Sequence, residues 1–300
     1  MFRPKNYLIF TDSAADIPAS VFNEYDIRVI PMDYLLNGRS LVFDTGSPDR
    51  EKQCDELYEA LRNLAEVHTS QITPFHYEQA WRPLLAEGND ILYLAFSSGL
   101  SATYSNALTA AEVLRKEFPK RHIEVVDTLS GTGGQGLLVY SAACNRANGM
   151  DISENARWVA EHAPYICHRF TVGDLDYLYR GGRISAASAF IGGMLNIKPL
   201  LIVDKDGRLQ MTGKARGQNA ALKTLVHATK EEMGVPDTPE IVYVSHSGLF
   251  DKCAHLEKML RTALGEAAQI EFMCVSPIIG VHVGPDFFAI CTFGKNRKHD

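Results

Sequence analysis

Ser97, Ser98 and Ser101 place three hydroxyls around Gly99 in the run Phe96-Ser97-Ser98-Gly99-Leu100-Ser101-Ala102-Thr103-Tyr104. There an apolar stretch, Ile91 to Phe96, gives way to a helical pattern that continues to Phe118. Backbone N–H groups left unpaired at a helix N-terminus converge with side-chain donors on one point, which suits an anion. The serines could equally be helix caps worth about 1 kcal/mol each, and the stretch by itself does not decide. Arg183 is a second candidate. It stands beside two glycines in Arg180-Gly181-Gly182-Arg183, where its fork can approach a carboxylate or phosphate closely; a surface salt bridge is the alternative. His282 is a third. It falls in the Gly/Pro-punctuated run Ser276 to Asp286, read as a loop between two apolar strands, where a side chain can be aimed rather than buried. His246, in Ser245-His246-Ser247-Gly248, is its rival, and a structural role remains open for either.

Several chemistries are disfavoured by spacing. No G-x-S-x-G elbow or triad order appears, and no G-x-x-x-x-G-K-[ST] loop. Gly131-Thr132-Gly133-Gly134-Gln135-Gly136 satisfies G-x-G-x-x-G. However, it does not follow its strand directly, and the next element reads as a helix where a dinucleotide unit needs a parallel strand. No cofactor is expected. Asp12 and Asp16 could hold a metal, but in Thr11-Asp12-Ser13-Ala14-Ala15-Asp16-Ile17-Pro18 they read better as turn and helix-start residues. Six scattered cysteines lack metal or redox spacing and fit reduced, packed thiols.

The elements that must position these residues alternate. Strands are predicted at Tyr7–Phe10, Ile27–Leu35, Ser40–Phe43, Ile91–Phe96 and Ile123–Thr128, with Asn37-Gly38 as a hairpin turn. Helices are predicted from Lys52 to Glu66, Phe75 to Leu85, about Ser101 to Phe118, Leu137 to Ala147 and Ser153 to Ala163; His68 to Pro74 reads as a loop. This is an α/β pattern with a mainly parallel sheet and flanking helices. Past Asn148-Gly149 the pattern changes to α+β. Strands are predicted at Arg169–Val172, Pro199–Val203, Leu209–Thr212, Glu240–Ser245, Gln269–Val275 and Phe287–Thr292. Helices are predicted at Asp174–Tyr179, Ile184–Leu195, Gln218–Glu232 and Leu249–Leu264. Two domains, 1–163 and 164–300, follow.

A chain of 300 residues supports about two domains, and its composition is that of an ordinary soluble globular protein. A formal net charge of −6 without a dense basic block argues against nucleic acid as partner. The basic stretch Lys295 to His299 reads as a solvated end. Nothing approaches a membrane-spanning run, and the beginning of the chain carries no h-region or cleavage site. The expected location is the cytoplasm.

Motifs spread along nearly the whole chain resemble the DegV family of fatty-acid-binding proteins. They are Thr11 to Pro18, Thr69-Ser70-Gln71, Ser97 to Tyr104, Val126-Asp127-Thr128, Leu178 to Ser185, Leu195-Asn196-Ile197-Lys198-Pro199 and Ile279 to Pro285. The resemblance implies a two-domain fold and a non-enzymatic lipid-binding protein. A long-chain fatty acid would lie with its carboxylate at the domain junction and its tail in the C-terminal domain. Carried over, Thr69 and Ser101, with Ser98 and Gly99 nearby, would hold the carboxylate; His282 and Arg183 would lie at its mouth, with Arg183 facing a phosphate or a kinase. Family members present the acid to a fatty acid kinase, whose acyl-phosphate product feeds phospholipid synthesis. The alternative is an enzyme acting on a small acid or phosphate ester in the interdomain cleft, with His282 as acid or base. Ile72, Ala102 and Asp286 depart from the family pattern, and an acidic Asp286 beside the carboxylate would weaken anion binding. For the tail, Phe190, Ile191, Met194, Leu195, Leu200, Leu201 and Ile202 offer apolar surface, either as a core or as a tunnel wall.

Overall fold

The computed structural model describes residues 7–63, 65–185, 196–235, 238–295 and 297. Four parallel strands form the first sheet in the order β2-β1-β6-β7: β1 (Tyr7–Asp12), β2 (Ile27–Ile30), β6 (Asp90–Ala95) and β7 (Ile123–Asp127). Their near-continuous apolar runs reflect burial on both faces. The helices of this half are α1 (Ala19–Tyr25), α2 (Arg50–Arg62), α3 (Pro74–Ala86), α4 (Thr103–Glu117), α5 (Thr132–Ala147) and α6 (Ile152–His162). A small antiparallel sheet, β4-β3-β5, is built from β3 (Met32–Leu36), β4 (Arg39–Phe43) and β5 (Val67–Thr69). Asn37 and Gly38, at φ 50° and 77°, make the expected β3–β4 hairpin turn. The strand predicted over Ile27–Leu35 is two strands in different sheets. Pro31 lies between them, and a residue without an N–H cannot extend a central ladder.

The second sheet has six strands in the order β10-β9-β8-β13-β11-β12: β8 (Ile166–Thr171), β9 (Ile197–Val203), β10 (Leu209–Arg216), β11 (Ile241–His246), β12 (Gln269–Cys274) and β13 (Phe288–Phe293). Its pairings are antiparallel except β11–β12, which are parallel and joined by a helical crossover. Its helices are α7 (Asp176–Arg180), α8 (Gln218–Glu232), α9 (Phe250–Leu264) and α10 (Pro277–Val283). Among the described residues no strand of one half pairs with the other half. One apolar core nevertheless runs through both, joining Ile9, Leu92 and Trp81 to Phe170, Val275 and Phe287. A second cluster, including Leu222, Leu225, Leu256 and Phe288, lies under α8 and α9. The predicted helix Ile184–Leu195, with Phe190, Ile191, Met194 and Leu195, falls largely outside the described residues, as does Leu64 of the predicted helix from Lys52 to Glu66.

The glycine-rich segment forms the first turn of α5, which packs against β1 and β6 on one side and β8, β11 and β13 on the other. Its glycines allow that approach. A Cβ on Gly136 would stand 2.1 Å from the Asp16 carbonyl oxygen, and one on Gly133 would stand 2.8 Å from the Tyr243 Cβ. Gly→Ala in a helix ordinarily stabilises by about 1 kcal/mol. Gly136→Ala is instead expected to destabilise by about 3 kcal/mol, because the obstacle is backbone with no rotamer to yield. Urea unfolding measures this; a variant as stable as the parent would show that α5 is free to shift.

Of the basic stretch read as a solvated end, Lys295 is exposed but Arg297 is not solvated. Arg297 is 5% exposed and donates to the carbonyls of Ala163 (2.7 Å), Leu129 (3.1 Å) and Asp204 (3.1 Å). Tying the first half, the junction and the β9–β10 turn together offsets the cost of burying its charge.

Candidate functional site: a polar-mouthed cavity between the two sheets

A cavity of about 530 Å³ opens where β5, α4, α7 and α10 meet. Its walls come from both halves of the chain: Met32, Phe96 and Leu100 from the first, and Phe170, Leu178, Val203, Leu209, Ile278, Val283 and Phe287 from the second. Polar groups gather at Thr69, Ser70, Gln71, Thr73, Ser101, Arg183 and His282; Thr132 and His168 also line it. Among the described residues no Asp or Glu lines it. Leu200, Leu201 and Ile202, read as either core or tunnel wall, are not among the residues lining this space. Leu201 is buried in the main core and Leu200 in the cluster under α8 and α9.

Thr69 is the last residue of β5, paired opposite Tyr34 of β3, so a strand rather than a loop aims its side chain. Its Oγ1 lies 2.9 Å from His282 Nε2. His282 sits on α10, not on a loop. Pro277 occupies the first turn of this helix and Gly284, at φ 75°, ends it. Burial, aided by Arg183 and His68, pushes the His282 imidazole down to about 4, so it is neutral at pH 7. Its Nδ1 has no hydrogen-bond partner and packs so closely on Gly181 that a Cβ there would be 2.4 Å away. A bare acceptor tolerates that neighbour better than an N–H does. We therefore assign the proton to Nε2, which donates to Thr69 Oγ1 and leaves the Thr69 hydroxyl proton free for another acceptor.

Ser101 repeats this arrangement. Its Oγ accepts the Thr103 N–H at 3.2 Å and lies 2.9 Å from Thr103 Oγ1. With the buried Thr103 hydroxyl donating, the Ser101 proton is likewise unclaimed. Thr103 and Leu100 were given no role from the sequence, where the helix-start position of Thr103 was the only signal; Gly181 was noted only as a glycine beside Arg183. Arg183 is half-buried, with Nε donating to Leu100 O at 3.2 Å and Nη1 to Gly181 O. Burial pulls its pKa below the ordinary arginine value. Among the described residues no carboxylate pairs with it, so a guanidinium faces the cavity without a counter-charge.

Ser98 and Gly99 are not brought into this cavity. Ser98 is exposed and its N–H donates to Asp127 Oδ1 at 3.2 Å, while the Gly99 N–H donates to Ser97 Oγ at 3.2 Å. The turn thus uses its donors internally. Gly99 instead admits the β9–β10 turn: a Cβ would be 2.5 Å from Asp206 O, and Ser97 Oγ donates to Gly207 O at 2.7 Å. Asp286 is also outside the cavity. Its carboxylate lies 3.6 Å from Lys198 Nζ and 3.5 Å from Lys252 Nζ, so its charge is compensated rather than set against an anion. Ile72 is buried in the core, and Ala102 lies at the rim as the N-cap of α4. His246 is buried away from the cavity, accepting the Leu249 N–H before α9. Asp12 accepts from the Ala14 N–H of its own turn at 3.1 Å and also from Tyr93 Oη at 2.7 Å and Phe96 N at 2.8 Å, while Asp16 accepts from the distant Ser276 N at 3.0 Å.

The family model described as "Uncharacterised protein, DegV family" matches residues 6–295. A DegV domain-containing protein of Clostridium perfringens is 35% identical over 294 residues, covering 98% of this chain and 99% of the relative. Among solved structures, a DegV lipid binding protein from Thermotoga maritima superposes with a TM-score of 0.80 at 28% identity, covering 95% of this chain and 97% of that one. A fatty acid binding DegV family protein from Streptococcus agalactiae gives a TM-score of 0.82 at 27% identity, covering 97% and 99%. The family match and the end-to-end likeness agree, and the chain belongs to the DegV family.

Proposed function

We propose that the chain binds a long-chain fatty acid. Thr69, Ser101 and Arg183 would receive the carboxylate, His282 would position Thr69, and the apolar walls would take the tail. The observation that carries this reading is the composition of the cavity. Among the described residues its lining is largely apolar and holds no acid, and it includes a guanidinium with no carboxylate partner together with the hydroxyls of Thr69 and Ser101. Each buried CH₂ contributes about 0.8 kcal/mol, so a long tail binds tightly even with a modest headgroup site. The related Streptococcus agalactiae protein, described as fatty acid binding, adds support. The reading takes 1–163 and 164–300 as two domains with the carboxylate at their junction. It extends, as the family resemblance implies, to presenting the acid to a fatty acid kinase. No metal or cofactor is invoked.

The enzyme alternative needs His282 to exchange protons near neutral pH. A group held at about 4 is a weak base and at neutral pH is not the imidazolium that would serve as a general acid. Native mass spectrometry of protein purified from cells is the test. Expected are adducts with long-chain fatty acid masses, removable by delipidation and restored by adding the acid. Ligand-free protein that hydrolyses acyl or phosphate esters would overturn the reading.

A further inference from the structure

The outer faces of α8 and α9 form a groove remote from the cavity. Lys223, His227 and Lys230 lie on one face of α8 at spacings of four and three, and His255 and Lys258 lie on the facing side of α9. All five are exposed, and they line a hollow of about 500 Å³ that, among the described residues, contains no carboxylate. Its apolar floor includes Val226, Met259 and Ala263. A second hollow of about 600 Å³ continues it, sharing Lys230 and Ala263, with Glu240 as its one acid. Among the described residues none of the three lysines is ion-paired, whereas the nearby Glu257 is held by Arg261 at 2.8 Å. On a chain of net charge −6 this is a local inversion of sign.

We propose that this groove docks an acidic amphipathic helix of a partner protein. The shape favours a helix over a bilayer. The apolar atoms lie at the bottom of a concavity, Val226 being buried, so a flat lipid surface would meet the lysines and leave the floor uncovered. A helix reaches the floor with residues at i, i+3, i+4 and i+7 and sets acidic flanks against the lysine and histidine rims. The α8 helix spans 15 residues, or about 22 Å, which is room for three to four turns of a partner helix. This docking site does not depend on what fills the cavity.

The test uses the full chain and two fluorescent peptides of about 16 residues. One carries an apolar stripe at helical spacing with Glu on its flanks; the other has the same composition shuffled to break the stripe. Fluorescence anisotropy is expected to show saturable binding of the striped peptide, at least roughly tenfold tighter than the shuffled one and weakened by salt. Lys223→Glu combined with Lys258→Glu should cost roughly tenfold or more in striped-peptide affinity, with unfolding temperature and fatty acid binding unchanged. Equal binding of both peptides, indifference to the charge reversal, or no saturable binding would overturn the proposal. So would binding confined to phosphatidylglycerol vesicles.

Discussion

Replacing Arg183 by Met is expected to weaken long-chain fatty acid binding roughly thirtyfold, about 2 kcal/mol, while leaving the free protein as stable as before or slightly more so. The two halves of this result have one cause. Arg183 is half-buried, its pKa is lowered by desolvation, and among the described residues it has carbonyl partners but no carboxylate. A charge in that position is a cost to the empty protein that an incoming anion relieves. Met keeps much of the length and apolar stem and removes the charge, so the cost and the relief disappear together. The magnitude lies between an exposed ion pair, below about 1 kcal/mol, and a fully buried one, about 3–5 kcal/mol when broken. Arg183→Lys keeps the charge but loses the fork and should fall between. Calorimetric titration of delipidated protein with a fatty acid, beside thermal unfolding with and without ligand, gives both numbers. Loss of stability in Arg183→Met with unchanged affinity would assign Arg183 to bracing the Leu100 and Gly181 turns instead.

How much of this could be read in the sequence depends on the range of the forces involved. Strand and helix periodicity is local, and the β1, β6, β7, α4 and α8 segments lie close to where the pattern put them. The break at Pro31 and the helix α10 were also written locally. Pro277 at the first turn and Gly284 past the last are start and stop signals, but in a run as short as Ser276 to Asp286 they read more readily as loop punctuation. Non-local features were not legible. Which serines of the Phe96 to Thr103 turn face the cavity depends on the β9–β10 turn, which engages Ser97 and crowds Gly99 from more than a hundred residues away. The Arg297 docking, the burial of the α5 glycines between two sheets and the pairing of Asp286 with Lys198 and Lys252 are equally tertiary. Thr69, Arg183 and His282 came from the resemblance and from residue chemistry. Their support by Thr103 and Gly181 had to await the structure.

Removing both cavity hydroxyls is expected to cost more than either loss alone would suggest. Ser101→Ala should lower fatty acid affinity about ten- to hundredfold, the value of a hydrogen bond to a charged group, 1.5–3 kcal/mol. It should also lower stability by about 1 kcal/mol, because the Thr103 N–H and hydroxyl lose their acceptor. Thr69→Val keeps the shape and should cost a similar factor in affinity. Because the assigned His282 Nε2–H donates to Thr69, this substitution strands a donor and destabilises by about 1–3 kcal/mol. If the two hydroxyls grip one carboxylate, the double mutant departs from additivity by about 0.5 kcal/mol or more, since the anion can shift toward whichever donor remains after the first loss but not after the second. His282→Ala should follow Thr69→Val in direction with a smaller loss of affinity, as the imidazole orients the hydroxyl and does not itself receive the anion. Affinities of the three single variants and the Thr69–Ser101 pair, taken with unfolding midpoints, separate these effects. Additive changes of less than about twofold in each would place the carboxylate elsewhere and leave these hydroxyls as supports for α4 and α10.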